Sequence, residues 1–385
     1  MSDTTRVPNP AESRTGMGVT DPPRKWRTAG AALITCLTMG AAGLLTSAEA
    51  SAATHAPVAA KCSATLTANA YLEADLTCPA NKGVTLAGNI TLDLNHHRLT
   101  GSKGAAISIR NATKPLIKNG TVEGWATGVA IIPSADGSPG TGTVAVTGVT
   151  FTKTTTAIEA SGGGNYNITN TVFDSNQTGI DGFFTGLITV TGSTFHRNSF
   201  GVHADTAALA VSKSQFDRNT TGVATEEVAA TVTRSTFQHN GTGITTRTSG
   251  ATATSNIFND NTIGFDSFAV FGPPQNLTSN TFANNATGVN FFASGGSVTR
   301  NAFTGNTVGF TSTGDDPTWA VATLDGNSFY RNADGINVKD GGNSLKGNTA
   351  NNNSGWGIYA PGSTDLGGNH AAGNGRTPQC VGVKC

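Results

Sequence analysis

The feature that most constrains the fold is a phrase, F-x-x-N-x-x-G, that recurs about every 21 or 22 residues along most of the chain. Self-similarity at such a period is typical of a solenoid, in which each copy forms one structural unit and stacks on the next. The repeat therefore predicts one elongated array. The aromatic members of the series are Phe151, Phe173, Phe195, Phe216, Phe237, Phe258, Phe282, Phe303 and Phe329.

The asparagine and the glycine of the phrase form two further series. A buried asparagine is tolerated when its amide hydrogen-bonds its neighbours, which a ladder of identical residues arranges. Glycine suits a corner where the backbone approaches a neighbour closely or takes a positive φ. The asparagines are Asn176, Asn198, Asn219, Asn240, Asn261, Asn285, Asn306, Asn332 and Asn353, and the glycines are Gly179, Gly201, Gly222, Gly243, Gly264, Gly288, Gly309 and Gly335.

Composition favours strands over helices. Thr, Val, Asn and Gly are plentiful, whereas charged residues make up only 12% of the chain, so residues that favour helices are few. Two architectures have units of this length, the leucine-rich horseshoe and the parallel β-helix, and the unit lacks the L-x-x-L-x-L core of the horseshoe. We therefore predict an all-β parallel β-helix of about twelve turns, with 21–22 residues per turn and almost no helix.

The residue after each corner glycine predicts which side of the strand faces the core. It is apolar, as in Ile180, Val202 and Val223, and we expect it to point inward. Because side chains alternate along a strand, the residues one and three places further on should point outward. Neighbouring turns of a parallel coil lie ~4.8 Å apart, so outward residues of successive turns should form columns.

The N-terminal region resembles a secretory signal. Arg24, Lys25 and Arg27 precede an apolar run over 28–46, and small residues lead to Ala50 and Ala52, which is the order of a signal peptide. We predict a signal peptide with a polar lead segment over 1–52, a short linker over 53–61 and the coil over 62–385. An uncleaved membrane anchor is the alternative, because the run approaches the length that spans a bilayer.

The cysteines that remain after removal of the signal lie at the two ends of the coil. Their even number outside the cell predicts disulfides, and we expect Cys62 to pair with Cys78 and Cys380 with Cys385. These bridges would cap the exposed ends of the solenoid. We expect no metal site at these thiols, because a zinc site requires four convergent ligands.

Charge excludes one class of partner. Without residues 1–52 the 24 Lys and Arg lose five and the 24 Asp and Glu lose four, which leaves a net charge of −1. A nucleic-acid-binding protein would carry a basic face, so no nucleic acid is expected. We expect a secreted, extracellular monomer that has no contact with a membrane after signal cleavage.

Two stretches resemble a known family. NITLDLNHHRLTG (89–101) is similar to the N-G-H-x-I-x-G opening turn of right-handed parallel β-helix proteins of the pectate-lyase-like superfamily, with His96 in place of the glycine. The Asn- and Gly-rich stretch 347–374 resembles the last turns of such proteins. The resemblance covers roughly residues 62–375. It implies a right-handed coil and, as partner, an extracellular polysaccharide bound in a groove along one strand face.

The motifs of the family's hydrolases are not present as a set. Those hydrolases typically carry N-T-D, D-D, G-H-G and R-I-K together, and this chain lacks that combination. Its one Asp-Asp pair, Asp315-Asp316, lies in a long loop with Trp319. The family's lyases instead have acidic calcium ligands near an Arg or Lys base. The resemblance therefore implies no organic cofactor, and calcium is the one candidate ion.

Two outward columns carry the candidate site. Counting from the corner glycines places Asp205, Glu226 and Arg247 on successive turns, with His203 beside Asp205. Two carboxylates that close should share a proton or a cation, and retaining glycosidases use a similar spacing. We assign Asp205 and Glu226 as cation ligands or as an acid/base pair, Arg247 as base or charge clamp, and His203 as an assisting group. The residues expected to bind substrate are Asp181, Phe183, Asp266, Phe268, Asn290 and Phe292.

Other interpretations fit the same columns. A solvated strand face needs polar residues, and opposite charges on neighbouring strands are ordinary features of a sheet. The sequence predicts a protein that binds an extracellular polysaccharide and cleaves or modifies it as a lyase or a glycoside hydrolase, and the alternative is a non-catalytic surface or adhesion scaffold. An enzyme should have a concave groove over 181–268, whereas a scaffold should have an even, shallow face.

Overall fold

A computed structural model describes residues 56–132, 142–268, 272–314, 321–339 and 341–385. The predicted signal peptide, the first residues of the linker, and the loop residues Asp315, Asp316 and Trp319 lie outside these ranges. Within them the chain forms parallel strands and no helix, as the composition predicted. No helix long and apolar enough to cross a membrane occurs in these ranges.

Each turn of the coil contributes one strand to a fifteen-stranded parallel sheet, called here the front sheet. Successive strands pair in register, so that Phe183, Asp205, Glu226 and Arg247 are neighbours across four strands. The front strands are Thr65–Leu66, Val84–Ala87, Ala105–Arg110, Thr127–Ile131, Thr156–Ala160, Thr178–Phe183, Phe200–Asp205, Thr221–Glu226, Thr242–Arg247, Ile263–Phe268, Thr287–Phe292, Val308–Thr313, Asp334–Val338, Ile358–Tyr359 and Cys380–Val381.

The opposite side of the coil is the back sheet, to which most turns contribute two short strands separated by a bend. Residues at the bend take a left-handed backbone, for example Lys213 with φ 52° and Arg234 with φ 49°. The back strands are Val58–Ala59, Ala70–Tyr71, Leu76–Thr77, Thr91–Asp93, Arg98–Thr100, Leu116–Glu123, Thr143–Thr152, Asn165–Thr169, Val172–Asp174, Ile188–Thr191, Thr194–His196, Leu209–Ser212, Gln215–Asp217, Ala230–Thr233, Thr236–Gln238, Ala251–Thr254, Ile257–Asn259, Gln275–Thr278, Thr281–Ala283, Gly296–Thr299, Ala302–Thr304, Ala322–Asp325, Ser328–Tyr330, Ser344–Lys346, Thr349–Asn351, Thr364–Asp365 and His370–Ala372.

A column of stacked phenylalanines fills the core between the two sheets. From Phe151 to Phe329 each ring lies nearly parallel to the next, and the centroids of Phe195 and Phe216 are 4.6 Å apart with an interplanar angle of 2°. The rings are fully buried, so each contributes both apolar burial and offset stacking to stability. The repeated phrase therefore recurs because each turn must present the ring that the next turn packs on.

The asparagine series forms the predicted ladder along the corner between the sheets. Oδ1 of Asn240 accepts hydrogen bonds from the backbone N–H and the side-chain amide of Asn219, at 2.9 and 3.0 Å. Nδ2 of Asn240 also donates to the carbonyl of Phe216 at 2.9 Å. Every polar atom of the buried amide is thus satisfied, as burial requires.

The corner glycines are required by close approach. A Cβ built on Gly222 would lie 2.8 Å from Cδ1 of the Phe237 ring, which is closer than two carbon atoms can approach. Gly222 has no positive φ. The built Cβ would come nearer still, 2.5 Å, to the carbonyl oxygen of Gly243 on the next turn. Of the two reasons expected from the sequence, close approach of the neighbouring turn is therefore the one that applies.

The fifteen front strands are separated by fourteen intervals, so the coil has about fourteen turns, slightly more than the twelve predicted. The additional turns lie before Phe151, where strands such as Thr65–Leu66 and Val84–Ala87 pair without the Phe and Asn columns that mark the later turns. Both predicted disulfides are present, Cys62 to Cys78 in the first turn and Cys380 to Cys385 at the other end. His96, which replaces the family's glycine, has φ 64°.

Candidate functional site

The strands of the front sheet place the candidate residues on its outer face. In Thr178–Phe183 the inward Ile180 and Gly182 are buried, while Asp181 and Phe183 face outward. The alternation arises because successive side chains of a strand point to opposite faces. Parallel register then places Asp181 beside His203. The same register places the outward residues of successive strands side by side in both predicted columns.

Two adjoining depressions lie on this face, and together they are called here the front groove. One has a volume of about 220 Å³ and is lined by Phe200, His203, Thr221, Ala224, Thr225, Glu226, Thr245 and Arg247. The other has a volume of about 290 Å³ and is lined by Thr245, Arg247, Asp266, Phe268, Asn290 and Phe292. Thr245 and Arg247 belong to both, so the two depressions form one continuous concavity.

The floor of the first depression is explained by one small side chain. Ala224 occupies an outward position between His203 and Thr245 on the neighbouring strands. Its methyl group is short, so it leaves a hollow between longer side chains, and only 5% of Ala224 is exposed. A longer residue at 224 would fill the depression.

His203 is hydrogen-bonded to Asp181. Its Nδ1 lies 2.8 Å from Oδ1 of Asp181, whereas the sequence had suggested Asp205, two residues along the same strand, as its neighbour. The hydrogen bond to Asp181 is the main cause that raises the pKa of His203 above its ordinary value. Partial burial of the ring lowers that pKa, and the charges of Asp181, Glu226 and Asp205 add to the rise.

Glu226 and Arg247 are neighbours in register, and their side chains remain unpaired. Neither side chain forms a hydrogen bond or an ion pair with another residue in the described ranges, and Asp205 accepts one hydrogen bond, from the hydroxyl of Thr206 at 3.2 Å. A carboxylate and a guanidinium that face the groove without internal partners are available to a ligand. Their spacing, one strand apart, is ~4.8 Å along the coil.

Aromatic side chains border the groove at both ends. Phe268 and Phe292 stack on each other with centroids 5.3 Å apart, and they remain 43% and 37% exposed. At the other end Phe183 and Phe184 are in edge contact and are 51% and 64% exposed. The turn of Phe183 and that of Phe268 are four strand intervals apart, or roughly 19 Å.

The comparison of the sequence with protein families decides the family. A model described as the right handed beta helix region matches residues 138–272 and 226–375, which together span more than half of the chain. The chain belongs to the right-handed β-helix family. The resemblance inferred from the first and last turns is thereby confirmed. This β-helix protein has no significant match among curated proteins.

Solved structures with a similar coil include several proteins. A double mutant of the periplasmic alginate epimerase AlgG aligns over 77% of this chain and 78% of its own, with 12% identity and a TM-score of 0.46. DFA-IIIase from Arthrobacter chlorophenolicus A6 aligns over 74% and 84%, with 12% identity and a TM-score of 0.41. The A-module of a mannuronan C-5 epimerase from Azotobacter vinelandii aligns over 80% and 91%, with 15% identity and a TM-score of 0.35. At these identities the likeness concerns the fold alone.

The described ranges of this β-helix protein contain no group of three or more His, Cys, Asp or Glu residues arranged to hold a metal ion. Asp205 and Glu226, the predicted cation ligands, lie on adjacent strands without a third such ligand. A calcium ion in the groove would therefore have to take further ligands from its substrate or from water.

A larger depression of about 610 Å³ lies on the first turns of the back sheet and includes Tyr71, Asp93 and Lys118. Its two charged groups pair with each other, because Nζ of Lys118 lies 3.0 Å from Oδ2 of Asp93. The depression thus lacks an unpaired acid or base, and the front groove remains the stronger candidate for chemistry.

Sequence reasoning missed two contributors to the groove. Phe200 packs near the His203 ring, with centroids 5.6 Å apart, and Thr245 lines both depressions. Thr245 stood in the predicted outward column, and Phe200 is the residue before a corner glycine. Phe200 could have been found from the sequence by its size, because the neighbouring turns have threonine at the equivalent position, namely Thr178, Thr221 and Thr242.

Proposed function

We propose that this β-helix protein is a secreted enzyme that binds a polysaccharide along the front groove and cleaves it by acid/base chemistry. The observation that carries the proposal is that Asp205 and Glu226, neither of which forms an ion pair within the described ranges, share one face of the coil with exposed aromatic rings. The acids supply proton transfer, and the rings supply flat apolar surfaces on which sugar rings can stack. Secretion is supported by the two disulfides, which persist in oxidising compartments.

Asp205 and Glu226 are assigned as the acid/base pair. They are neighbours on adjacent strands, a spacing close to that of retaining glycosidases, in which one carboxyl donates a proton to the leaving oxygen while the other carboxylate attacks C1 of the sugar. His203 is held by Asp181 and has a raised pKa, so it carries positive charge over a wider pH range than a free histidine.

Arg247 is assigned as a clamp for substrate oxygens. Its guanidinium lies between the two depressions and has no internal partner in the described ranges. Asp266 and Asn290 would bind sugar hydroxyls in the second depression. Nδ2 of Asn290 donates to Oδ1 of Asp266 at 2.7 Å, and this hydrogen bond holds the polar atoms of both side chains in place. Phe183, Phe268 and Phe292 would stack on sugars at the ends.

A non-catalytic scaffold is the second candidate function, and one observation favours it. Taken singly, the two depressions, of about 220 and 290 Å³, are smaller than the roughly 300–1,000 Å³ that is usual for ligand pockets. A protein that only adheres to a glycan surface needs no deeper site. In that case the stiff coil, with its Phe stack and Asn ladder, would be the functional part.

A polysaccharide panel separates these candidates. The purified protein is incubated with neutral, anionic and cationic polymers, with and without a chelator, and new reducing ends and unsaturated uronides are measured. The enzyme proposal predicts new ends from at least one polymer. Binding without any product supports the scaffold, and the absence of both binding and product rejects a glycan as partner.

A further inference from the structure

The outer face of the front sheet carries more carboxylates than cations: Glu226 and Asp266 line the front groove, and Asp181 and Asp205 lie on the same face beside it. At the two outward positions of the described front strands from Thr156–Ala160 to Asp334–Val338, five side chains are carboxylates and a single one is a guanidinium, Arg247. His203 and Lys339 are the other groups that can carry positive charge there. The carboxylates are Glu159, Asp181, Asp205, Glu226 and Asp266.

The basic residues are concentrated at the bends of the back sheet. These bends take the left-handed backbone that separates or follows the short strands. Three of the basic side chains there pair with carboxylates of the back strands, in the pairs Lys153–Glu123, Arg197–Asp174 and Arg218–Asp217. The basic residues at the bends are Lys153, Arg197, Lys213, Arg218, Arg234, Arg300 and Arg331. The coil therefore has an acidic front and bends on the back that are rich in cations.

This distribution bears on the ligand, because complementary charge attracts a ligand and like charge excludes it. A polyuronate carries one carboxylate on every sugar, and along this face these would meet Asp181, Asp205 and Glu226, with Arg247 and His203 to compensate. A polymer with an ammonium group on its sugars would instead place positive charge beside those same carboxylates. Glu226 is free to receive such a group, since it has no partner among the described residues.

We propose that the front groove selects a cationic glycan, a polymer of 2-amino-2-deoxy sugars, over a polyuronate. This inference rests on the proposed function and names its substrate class. Asp205 and Glu226 lie on adjacent strands, ~4.8 Å apart along the coil, which is close to the length of one pyranose ring. Two successive amino sugars laid along the coil axis could thus each approach one of these two carboxylates.

The substrate class also decides the reaction. β-Elimination removes a proton next to a uronate carboxyl group, which an amino sugar polymer lacks, so cleavage must proceed by hydrolysis. At the carboxyl spacing of retaining glycosidases, one carboxyl gives its proton to the leaving oxygen as the bond between C1 and that oxygen breaks, and the other carboxylate bonds to C1. Water then displaces that carboxylate: the water oxygen bonds to C1, one water proton returns to the first carboxylate, and the other stays on the new hydroxyl group.

The test is a binding series at pH 6 with three soluble probes of matched length: a glucosamine oligomer, an oligogalacturonate with and without Ca²⁺, and a neutral glucose oligomer. We expect the glucosamine oligomer to bind most tightly, and its affinity to fall as salt rises from low to high concentration, since salt screens surface charge. Glu226→Gln should weaken this binding about tenfold.

A matched control isolates the groove. Asp260 is an exposed carboxylate in a left-handed bend on the back, with φ 56°, and asparagine tolerates that backbone. Asp260→Asn removes the same charge outside the groove and should leave binding unchanged. Equal effects of Asp260→Asn and Glu226→Gln would overturn the inference, because attraction would then be a property of the whole surface.

The outcomes also separate this inference from the proposed function. If the oligogalacturonate or the neutral oligomer binds as tightly as the glucosamine oligomer, and Phe268→Ala weakens that binding, the glycan groove stands and the cationic class is wrong. If none of the three probes binds, the inference and the glycan function both fail. Tight glucosamine binding that is unaffected by Glu226→Gln places the ligand elsewhere and overturns the inference.

Discussion

The Nδ1 atom of His203 lies 2.8 Å from Oδ1 of Asp181, the residue beside it on the preceding turn of the coil. The contact joins an imidazole and a carboxylate that are 22 residues apart in sequence and adjacent only because the chain returns to the same place once per turn. Both side chains are partly exposed, at 31% and 41%. The pair therefore remains accessible to protons and to a ligand.

Removal of the Asp181 carboxylate should lower the pKa of His203. Asp181→Asn deletes the main cause of the raised pKa and one of the charges that add to it. We expect the imidazole to titrate closer to its ordinary value of 6.5, as followed by NMR of the histidine ring. A variant whose His203 titrates as in the wild type would show that the hydrogen bond is absent in solution.

The same pair predicts how stability depends on pH. A histidine whose pKa is raised in the folded state adds stability that is fully present below the unfolded value, near 6.5, and is lost as pH rises through the folded-state pKa. Asp181→Asn should therefore melt at a lower temperature than wild type at pH 5.5, and the difference should shrink by pH 9. A difference that grows with pH would contradict this sign.

The outward columns could be predicted from the sequence because two strong series fixed the register. Phe and Asn recur on almost every turn after Phe151, so counting from them places Asp205, Glu226 and Arg247 on adjacent strands. The partner of His203 could not be predicted in the same way. Asp181 and Asp205 both lie within reach on the outer face, and the side-chain rotamer decides between them. The first turns were undercounted because they lack the Phe and Asn series.

Phe268 should contribute to binding and little to folding. It is 43% exposed at the end of the groove and stacks on Phe292, so Phe268→Ala removes a surface for a sugar ring without opening a core cavity. We expect affinity for the bound oligosaccharide to fall about tenfold, measured by calorimetry. Ile257, 48% exposed on the back sheet, provides the control, and Ile257→Ala should not alter affinity. Equal affinities of wild type and Phe268→Ala would show that the Phe268 ring does not bind the sugar.

The asparagine ladder should be a major source of stability. Asn240→Ala would leave a backbone N–H, a side-chain amide and the Phe216 carbonyl without the partners they have now, and each buried unsatisfied group costs about 1–3 kcal/mol. We expect the free energy of unfolding to fall by about 3 kcal/mol or more in urea denaturation. Asn276 lies exposed on the back sheet, and Asn276→Ala should change stability by less than about 0.5 kcal/mol. A small effect of Asn240→Ala would mean that water replaces the lost amide.

The most direct test of the account is the rate of polysaccharide cleavage by the Asp205→Asn/Glu226→Gln double variant. The substitutions keep the shape of both side chains and remove their ability to carry protons, so the variant should fold with the melting temperature of the wild type. For the polymer that the wild type cleaves, the account predicts that release of reducing ends falls by a factor of about 100 or more. Wild-type release of reducing ends by the double variant would contradict the assignment of the acid/base pair to the front groove.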